Sequence, residues 1–376
     1  MTEMNPRALL NPFALVLALL HAYIGVRLLG PFDAPAQAAG AAALAAIFLA
    51  LPKGFAARKG RGAWQVWLPW LMTGVFSWLL VLTVLRDFGL VAAALFASPQ
   101  AHDAWVRDSA IAAMALTPAI VAAGFAMARR VAPVVAVDIP VAGLAPALEG
   151  FTIAQVSDIH VGPTIRREFV ERIVERVNAM NPDLVAITGD LVDGSVRDLA
   201  EDTAPIARLA SRHGTFFVTG NHEYYSGARA WIAELERLGA RVLLNEHVVL
   251  DHDGARLTLA GVTDFSAHHF EPAHRSDPAA ALAGAPEASA RVLLAHQPRS
   301  AARAAEAGFD LQLSGHTHGG QFWPWNLFVR LQQPFTAGLH RLGRTWVYVN
   351  RGAGYWGPPM RFGIPSEITR IRLVRA

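Results

Sequence analysis

Cysteine is absent from all 376 residues. That absence excludes a disulfide framework, a thiolate nucleophile and any zinc–thiolate centre. Charge is also scarce, at 17% of residues against about a quarter in an ordinary soluble domain. Hydrophobic residues reach 53% and mean hydropathy is +0.30, a balance that excludes a disordered chain. The net charge is only +3, and it is unevenly placed. Residues 1–130 carry ten Lys/Arg against five Asp/Glu, whereas the remainder carries 23 against 25. The C-terminal part therefore lacks the basic stripe that nucleic acid requires, and no nucleic-acid partner is expected. Twelve of the fourteen histidines follow position 150. One part of the chain reads as built for lipid and the other for chemistry.

Four apolar runs fill the first 130 residues: Leu9–Leu29, Ala36–Leu51, Trp64–Leu85 and Ser109–Met127. About 20 apolar residues in a helix cross the hydrocarbon layer, because each residue rises about 1.5 Å. Trp64, Trp67 and Trp70 suit a belt at headgroup level, where an indole is half wet. A shorter stretch, Phe88–Ala97, either extends the third helix or re-enters the membrane. A signal peptide has a single run of about 7–15 apolar residues, which this pattern exceeds. Four spans place Arg7, Lys53, Arg58, Lys59, Arg61, Arg129 and Arg130 on one side, and Arg27, Arg86 and Arg107 on the other. The bias of Lys and Arg toward the cytoplasm puts everything after the fourth span on the cytoplasmic side of the cell (inner) membrane. His21 and Arg27, in or near the first span, read as interfacial or packed polar groups.

Residues 131–150 alternate apolar runs with Pro and Gly, as a linker leading into a first strand would. From Phe151 the pattern becomes short apolar runs, each ending at a polar cluster. Phe151–Val156 leads to Ser157-Asp158-Ile159-His160, Leu184–Thr188 to Gly189-Asp190, and Thr215–Thr219 to Gly220-Asn221-His222-Glu223. Val292–Ala295 leads to His296, and Leu311–Leu313 to Ser314-Gly315-His316-Thr317-His318. Phe169, Ile173, Val174 and Val177 recur at helical spacing between the early runs. Strand, helix, strand implies a layered α/β domain with polar residues presented at the strand ends. The Ala-rich patch Pro278–Ala290 reads as an exposed loop or a short helix.

Taken singly, each cluster has an ordinary explanation as a turn or a helix cap. Five in succession, each after an apolar strand, form a set of Asp, His and Asn donors suited to a pair of divalent cations. Imidazole with carboxylate and carbonyl oxygen points to manganese, iron, zinc or cobalt.

With these residues in place, the sequence resembles the calcineurin-like metallophosphoesterases. Asp158-Ile159-His160, Gly189-Asp190 with Asp193, Gly220-Asn221-His222-Glu223, His296 and Gly315-His316-Thr317-His318 stand in the family's order. Gly319-Gly320-Gln321 and Pro359-Met360-Arg361-Phe362-Gly363 are similar to the multi-pass, membrane-anchored bacterial branch. The resemblance implies a four-layer αββα sandwich over 151–376, behind a bundle of about four transmembrane helices (1–130) and a linker with the first strand (131–150). It implies that Asp158, His160 and His318 hold one metal, that Asn221, His296 and His316 hold the second, and that Asp190 bridges both. His222 would be catalytic and Asp193 would orient it.

Around this set, Glu223 reads as a first-turn helix support, and His268, His269 and His274 as lining the substrate entrance or as a solvated loop. Phe322, Trp323, Trp325 and Trp356 form either core or an apolar wall beside a lipid. Arg351 and Arg361 are candidate phosphate clamps or salt-bridge partners. The expected reaction is two-metal hydrolysis of a phosphoester, phosphodiester or pyrophosphate in a membrane lipid or a lipid-linked nucleotide resembling UDP-diacylglucosamine. The alternatives are an anchored phosphatase for a soluble nucleotide or phosphoprotein, and a metal-binding scaffold without turnover.

Overall fold

Hydropathy marks where hydrocarbon surrounds a helix, but polar residues do not break one, so the second, third and fourth observed helices outrun their apolar runs. The computed structural model describes residues 12–55, 63–96 and 98–376. The start of the first run (Leu9) and the basic residues Arg7, Arg58, Lys59 and Arg61 lie outside the described residues. Two units emerge, residues 1–126 with 357–360, and residues 127–356 with 361–376.

The first unit contains α1 (Pro12–Leu29), α2 (Ala34–Phe55), α3 (Ala63–Ala94) and α4 (Pro99–Ala128). All four are long and apolar enough to cross a membrane. Phe88–Ala94 continues α3, so the re-entrant alternative does not hold. Helix α4 starts ten residues before Ser109, in a polar turn containing His102 and Asp103. His21 is packed, with Nδ1 donating to the Leu17 carbonyl (2.8 Å) and its ring stacked on Phe76. Arg27 pairs bidentately with Asp87, which also accepts from the Tyr23 hydroxyl (2.8 Å).

In the second unit the chain runs β1 (Val134–Val141), β2 (Thr152–Val156), α5 (Arg167–Asn178), β3 (Leu184–Ile187), α6 (Val196–Thr203) and β4 (Thr215–Phe217). It continues through α7 (Asn221–Ser226), α8 (Ala228–Arg237), β5 (Ala240–Val242), β6 (Glu246–His252), β7 (Ala255–Gly261) and α9 (Pro278–Leu282). Then come β8 (Ala290–Leu294), α10 (Ala301–Ala307), β9 (Leu311–Ser314), β10 (Gly338–Leu342), β11 (Thr345–Val349) and β12 (Ile368–Arg375). The Ala-rich patch thus holds a five-residue helix.

Two six-stranded sheets result, ordered β1-β12-β2-β3-β4-β5 and β10-β11-β9-β8-β7-β6. Side chains alternate across each strand, and that alternation builds the layers. Ile153, Leu184 and Phe216 face Leu257, Val292 and Leu311 in the core between the sheets. Their neighbours Ala154, Val185 and Phe217 turn outward onto Phe169, Ile173, Val177 and Trp231 of α5 and α8. On the far side, Leu293 and Ala295 pack with Ala281 of α9 and Ala304 of α10. This is the four-layer αββα sandwich. β2, β3 and β4 are parallel neighbours, and so are β8 and β9, so the polar clusters that follow them emerge at strand ends.

Candidate active site

Apolar strands end where the chain must turn, and here the turns are taken by the chemistry-bearing residues themselves. Asp158, His160, Asp190, His316 and His318 all adopt positive φ, between 51° and 69°. Left-handed backbone at a non-glycine residue costs about 1–3 kcal/mol and persists where the surroundings impose it, commonly at functional sites. Two glycines make the turns possible. A Cβ at Gly220 would overlap Asp190 Oδ1, and one at Gly315 would overlap Ser157 Oγ and Asp158 Oδ2.

Four of the five clusters supply two adjoining groups of donors, Asp158 with His160 and His318, and Asp190 with His296 and His316, and the fifth adds His222 to a third group with His160 and Asp193. Nε2 of His160 lies 3.0 Å from Nε2 of His318, which is 3.5 Å from Asp158 Oδ1. Nε2 of His296 lies 3.0 Å from Asp190 Oδ2 and 3.2 Å from Nδ1 of His316. The same Asp190 oxygen is 3.9 Å from Nε2 of His160 and so stands between the groups. Asn221 is buried, and its Oδ1 has no hydrogen-bond partner. An orphaned buried carbonyl is costly unless something outside the protein takes it up.

The electrostatics suit cations. Burial, reinforced by the neighbouring His296, drives the His316 pKa down to about 3, and His318 is likewise held well below its usual value. Both rings are therefore neutral with a lone pair to offer. Burial opposes ionisation of Asp190, yet His296 holds its carboxyl well below the ordinary range. Burial opposes the His296 imidazolium, yet Asp190 holds its pKa well above the usual value, so this ring would release a proton on binding metal. With that, two neutral imidazoles, an ionised carboxylate and an unsatisfied amide oxygen fit a pair of divalent cations.

His222 approaches the first two groups without joining either. Its Nδ1 is 2.5 Å from Asp193 Oδ1, the oxygen that also lies 3.1 Å from Nδ1 of His160. Burial works against the imidazolium, but Asp193 and then Asp190 raise His222 to about 9. Burial likewise opposes the Asp193 carboxylate, and the two histidines still hold it at about 2. One carboxylate thus orients two rings and directs Nε2 of each inward.

Glu223 supports the start of α7 as expected, and does more. It is fully buried, and its carboxylate ties two site loops together. Oε2 accepts the Asp190 and Gly220 N–H groups (3.0 and 2.6 Å), and Oε1 accepts Leu191 N–H (2.8 Å). Burial, followed by the charge of Asp190, pushes its carboxyl up to about 8. The available signal was its position three residues after Gly220, from which a Glu reaches back to the helix start. In Glu223→Gln the amide nitrogen would face Leu191 N–H. The variant is expected to lose about 1–3 kcal/mol of stability, read as a lowered melting temperature of the solubilised protein. An unchanged melting temperature would contradict this account.

Arg361 requires a correction. It is fully buried rather than open to phosphate, and donates to the carbonyls of Gly354 and His318 (2.6 and 3.0 Å) and to His318 Nδ1 (3.1 Å). Burial lowers its pKa to about 10, which leaves it charged at neutral pH. Its donors are spent behind the His318 ring. Arg351 is ion-paired with the buried Glu367 (3.2 Å), in keeping with the salt-bridge alternative. His274 Nδ1 meets the Tyr224 hydroxyl (2.8 Å), while His268 and His269 pack on each other. Phe322 is core, whereas Trp356 is 45% exposed with its ring edge-on to His222, centroids 5.6 Å apart.

Residues 151–320 match the family described as calcineurin-like phosphoesterase. A transmembrane protein with metallophosphoesterase domain from Danio rerio is 39% identical over 274 residues, covering 71% of this chain and 63% of the relative. An uncharacterised metallophosphoesterase from Helicobacter pylori is 43% identical over 227 residues, 59% of each chain. One from Aquifex aeolicus is 34% identical over 223 residues, 59% of this chain and 84% of the relative. The chain thus spans about three fifths of the length of the first two relatives, and the likeness reaches beyond bacteria. Four apolar helices and the transmembrane relative mark it as a membrane protein. It belongs to the calcineurin-like phosphoesterases, a family of metal-dependent hydrolases of phosphoester bonds.

Proposed function

We propose that this protein hydrolyses a phosphoester, phosphodiester or pyrophosphate bond carried by a membrane lipid or lipid-linked nucleotide, with UDP-diacylglucosamine as a representative substrate. The observation that carries this reading is the convergence of six His and Asp donors in two adjoining groups, in a chain whose last span ends five residues (129–133) before β1. Asp158, His160 and His318 would hold one divalent cation, Asn221, His296 and His316 the other, with Asp190 shared. Manganese, iron, zinc and cobalt all suit this donor set. Bound there, such a pair lowers the pKa of water and neutralises phosphoryl oxygens as negative charge builds up.

The chain's own contribution is positioning and proton handling. His222, held by Asp193 through Nδ1, offers its Nε2 proton to the leaving-group oxygen. Asp190 Oδ1 accepts the His222 backbone N–H (2.9 Å) and so locks the start of α7 to the shared ligand. A site tethered this closely to a bilayer meets amphiphiles at high effective concentration. The distribution of Lys and Arg among the loops supports a cytoplasmic catalytic unit in the cell membrane.

The solubilised full chain is expected to cleave bis(p-nitrophenyl) phosphate with Mn2+, to lose that activity in EDTA and to regain it on metal readdition. Micellar UDP-diacylglucosamine should be the better substrate relative to monomeric nucleotides. The reverse order would reassign the protein to soluble nucleotides, and inactivity toward every phosphoester with full metal content would overturn hydrolysis.

A further inference from the structure

We propose that the segment from Trp325 to Leu331 is an interfacial anchor that dips into the bilayer surface and brings the mouth of the site to the lipid headgroups. Leu327, Phe328 and Leu331 are 63%, 52% and 81% exposed, in a unit whose other large apolar side chains are mostly core. Three such residues side by side on a water-facing loop mark an interaction surface.

The occupant follows from the segment's own chemistry. Between Phe322 and Thr336 the only ionisable residue is Arg330, whose long stem lets its charge stay at the headgroups while its neighbours sink. The backbone closes on itself in two successive 3₁₀ turns. Leu327 N–H donates to Pro324 O, Phe328 N–H to Trp325 O, Leu331 N–H to Phe328 O (3.0 Å each), and Gln332 N–H to Val329 O (2.9 Å). Internal satisfaction of the backbone is what a segment must achieve before it can leave water for lipid. A protein partner would demand no such closure. The bilayer is also at hand, since α4 ends five residues before β1.

The segment joins the site directly. Gln321 exchanges hydrogen bonds with the Trp356 backbone, donating to its carbonyl (2.9 Å) and accepting its N–H (2.8 Å), and the Trp356 ring lies against His222. Tyr225, 61% exposed, flanks His222 with centroids 5.1 Å apart. Two aromatic rings thus flank the catalytic histidine, and one of them is tied through Gln321 to the chain that leads into the inserted loop. The catalytic consequence rests on the lipid reading above; insertion itself does not.

The cysteine-free chain makes the test direct. Full-length Leu327→Cys and Leu331→Cys, and a Glu287→Cys control on another loop, are labelled with nitrobenzoxadiazole in nanodiscs of phosphatidylcholine and phosphatidylglycerol. Labels at 327 and 331 should shift to the blue and be quenched by brominated lipid about twofold or more beyond the label at 287, as side chains about 5–10 Å into the interface would be. Quenching no greater than at 287 overturns the anchor, including the case of a protein-covered patch. In an active preparation, Leu327→Asp with Leu331→Asp should raise KM for a long-chain vesicle substrate about tenfold, with kcat on bis(p-nitrophenyl) phosphate unchanged. An unchanged KM overturns the link to the site. A protein that hydrolyses nothing still reports insertion through the quenching, so the two proposals fail separately.

Discussion

Asp190→Asn is expected to lower kcat/KM by about three orders of magnitude, the several kcal/mol that metal-ion charge stabilisation supplies. The substitution preserves shape. An asparagine oxygen at the Oδ1 position still accepts the His222 N–H, so the start of α7 stays in place. What disappears is the negative charge between Nε2 of His296, 3.0 Å away, and Nε2 of His160, 3.9 Å away. Metal content measured on the purified variant should fall below that of the native protein, because Asp190 lies against both donor groups. Native activity with native metal content would remove Asp190 from the bridging role and leave the two groups as separate sites.

The second large effect separates chemistry from metal binding. His222→Ala should keep its full metal content while kcat falls by about 10²–10⁴, the usual contribution of a positioned proton donor. His222 stands outside the groups built on Asp158 and on Asp190, in a third with His160 and Asp193, and its Nδ1 is held by the Asp193 carboxylate at 2.5 Å. The loss should be greatest for alkyl or sugar leaving groups, which need a proton, and smallest for p-nitrophenolate, which does not. An equal loss with both would assign His222 to binding instead. Asp193→Asn is expected to show a weaker form of the same pattern together with reduced metal affinity, since Asp193 also holds Nδ1 of His160.

Much of this was legible before any fold was known, for reasons that differ by region. Membrane spans are read from length and hydropathy because lipid imposes both on every span. The start of α4 was not, since a helix continues through His102 and Asp103 once no residue interrupts its hydrogen bonds. Strand-end clusters were readable because a parallel sheet delivers its polar loops to one edge. Arg361 was misjudged, and the reach of Glu223 beyond its own helix start was missed, for a common reason. Each acts through backbone atoms, Glu223 on the amides of residues 190, 191 and 220 and Arg361 on the carbonyls of 318 and 354, and backbone partners leave no trace in residue identity.

The order of residues alone determined that this chain carries four apolar helices followed by an α/β body, and which polar clusters end its strands. Local periodicity and side-chain type suffice for that. Only the tertiary structure decided that β12, the last strand, slots between β1 and β2, that Asp193 serves both His160 and His222, and that Arg361 is buried behind His318 rather than open to a phosphate. Those outcomes depend on packing between segments up to about two hundred residues apart, where burial decides which polar groups must find one another.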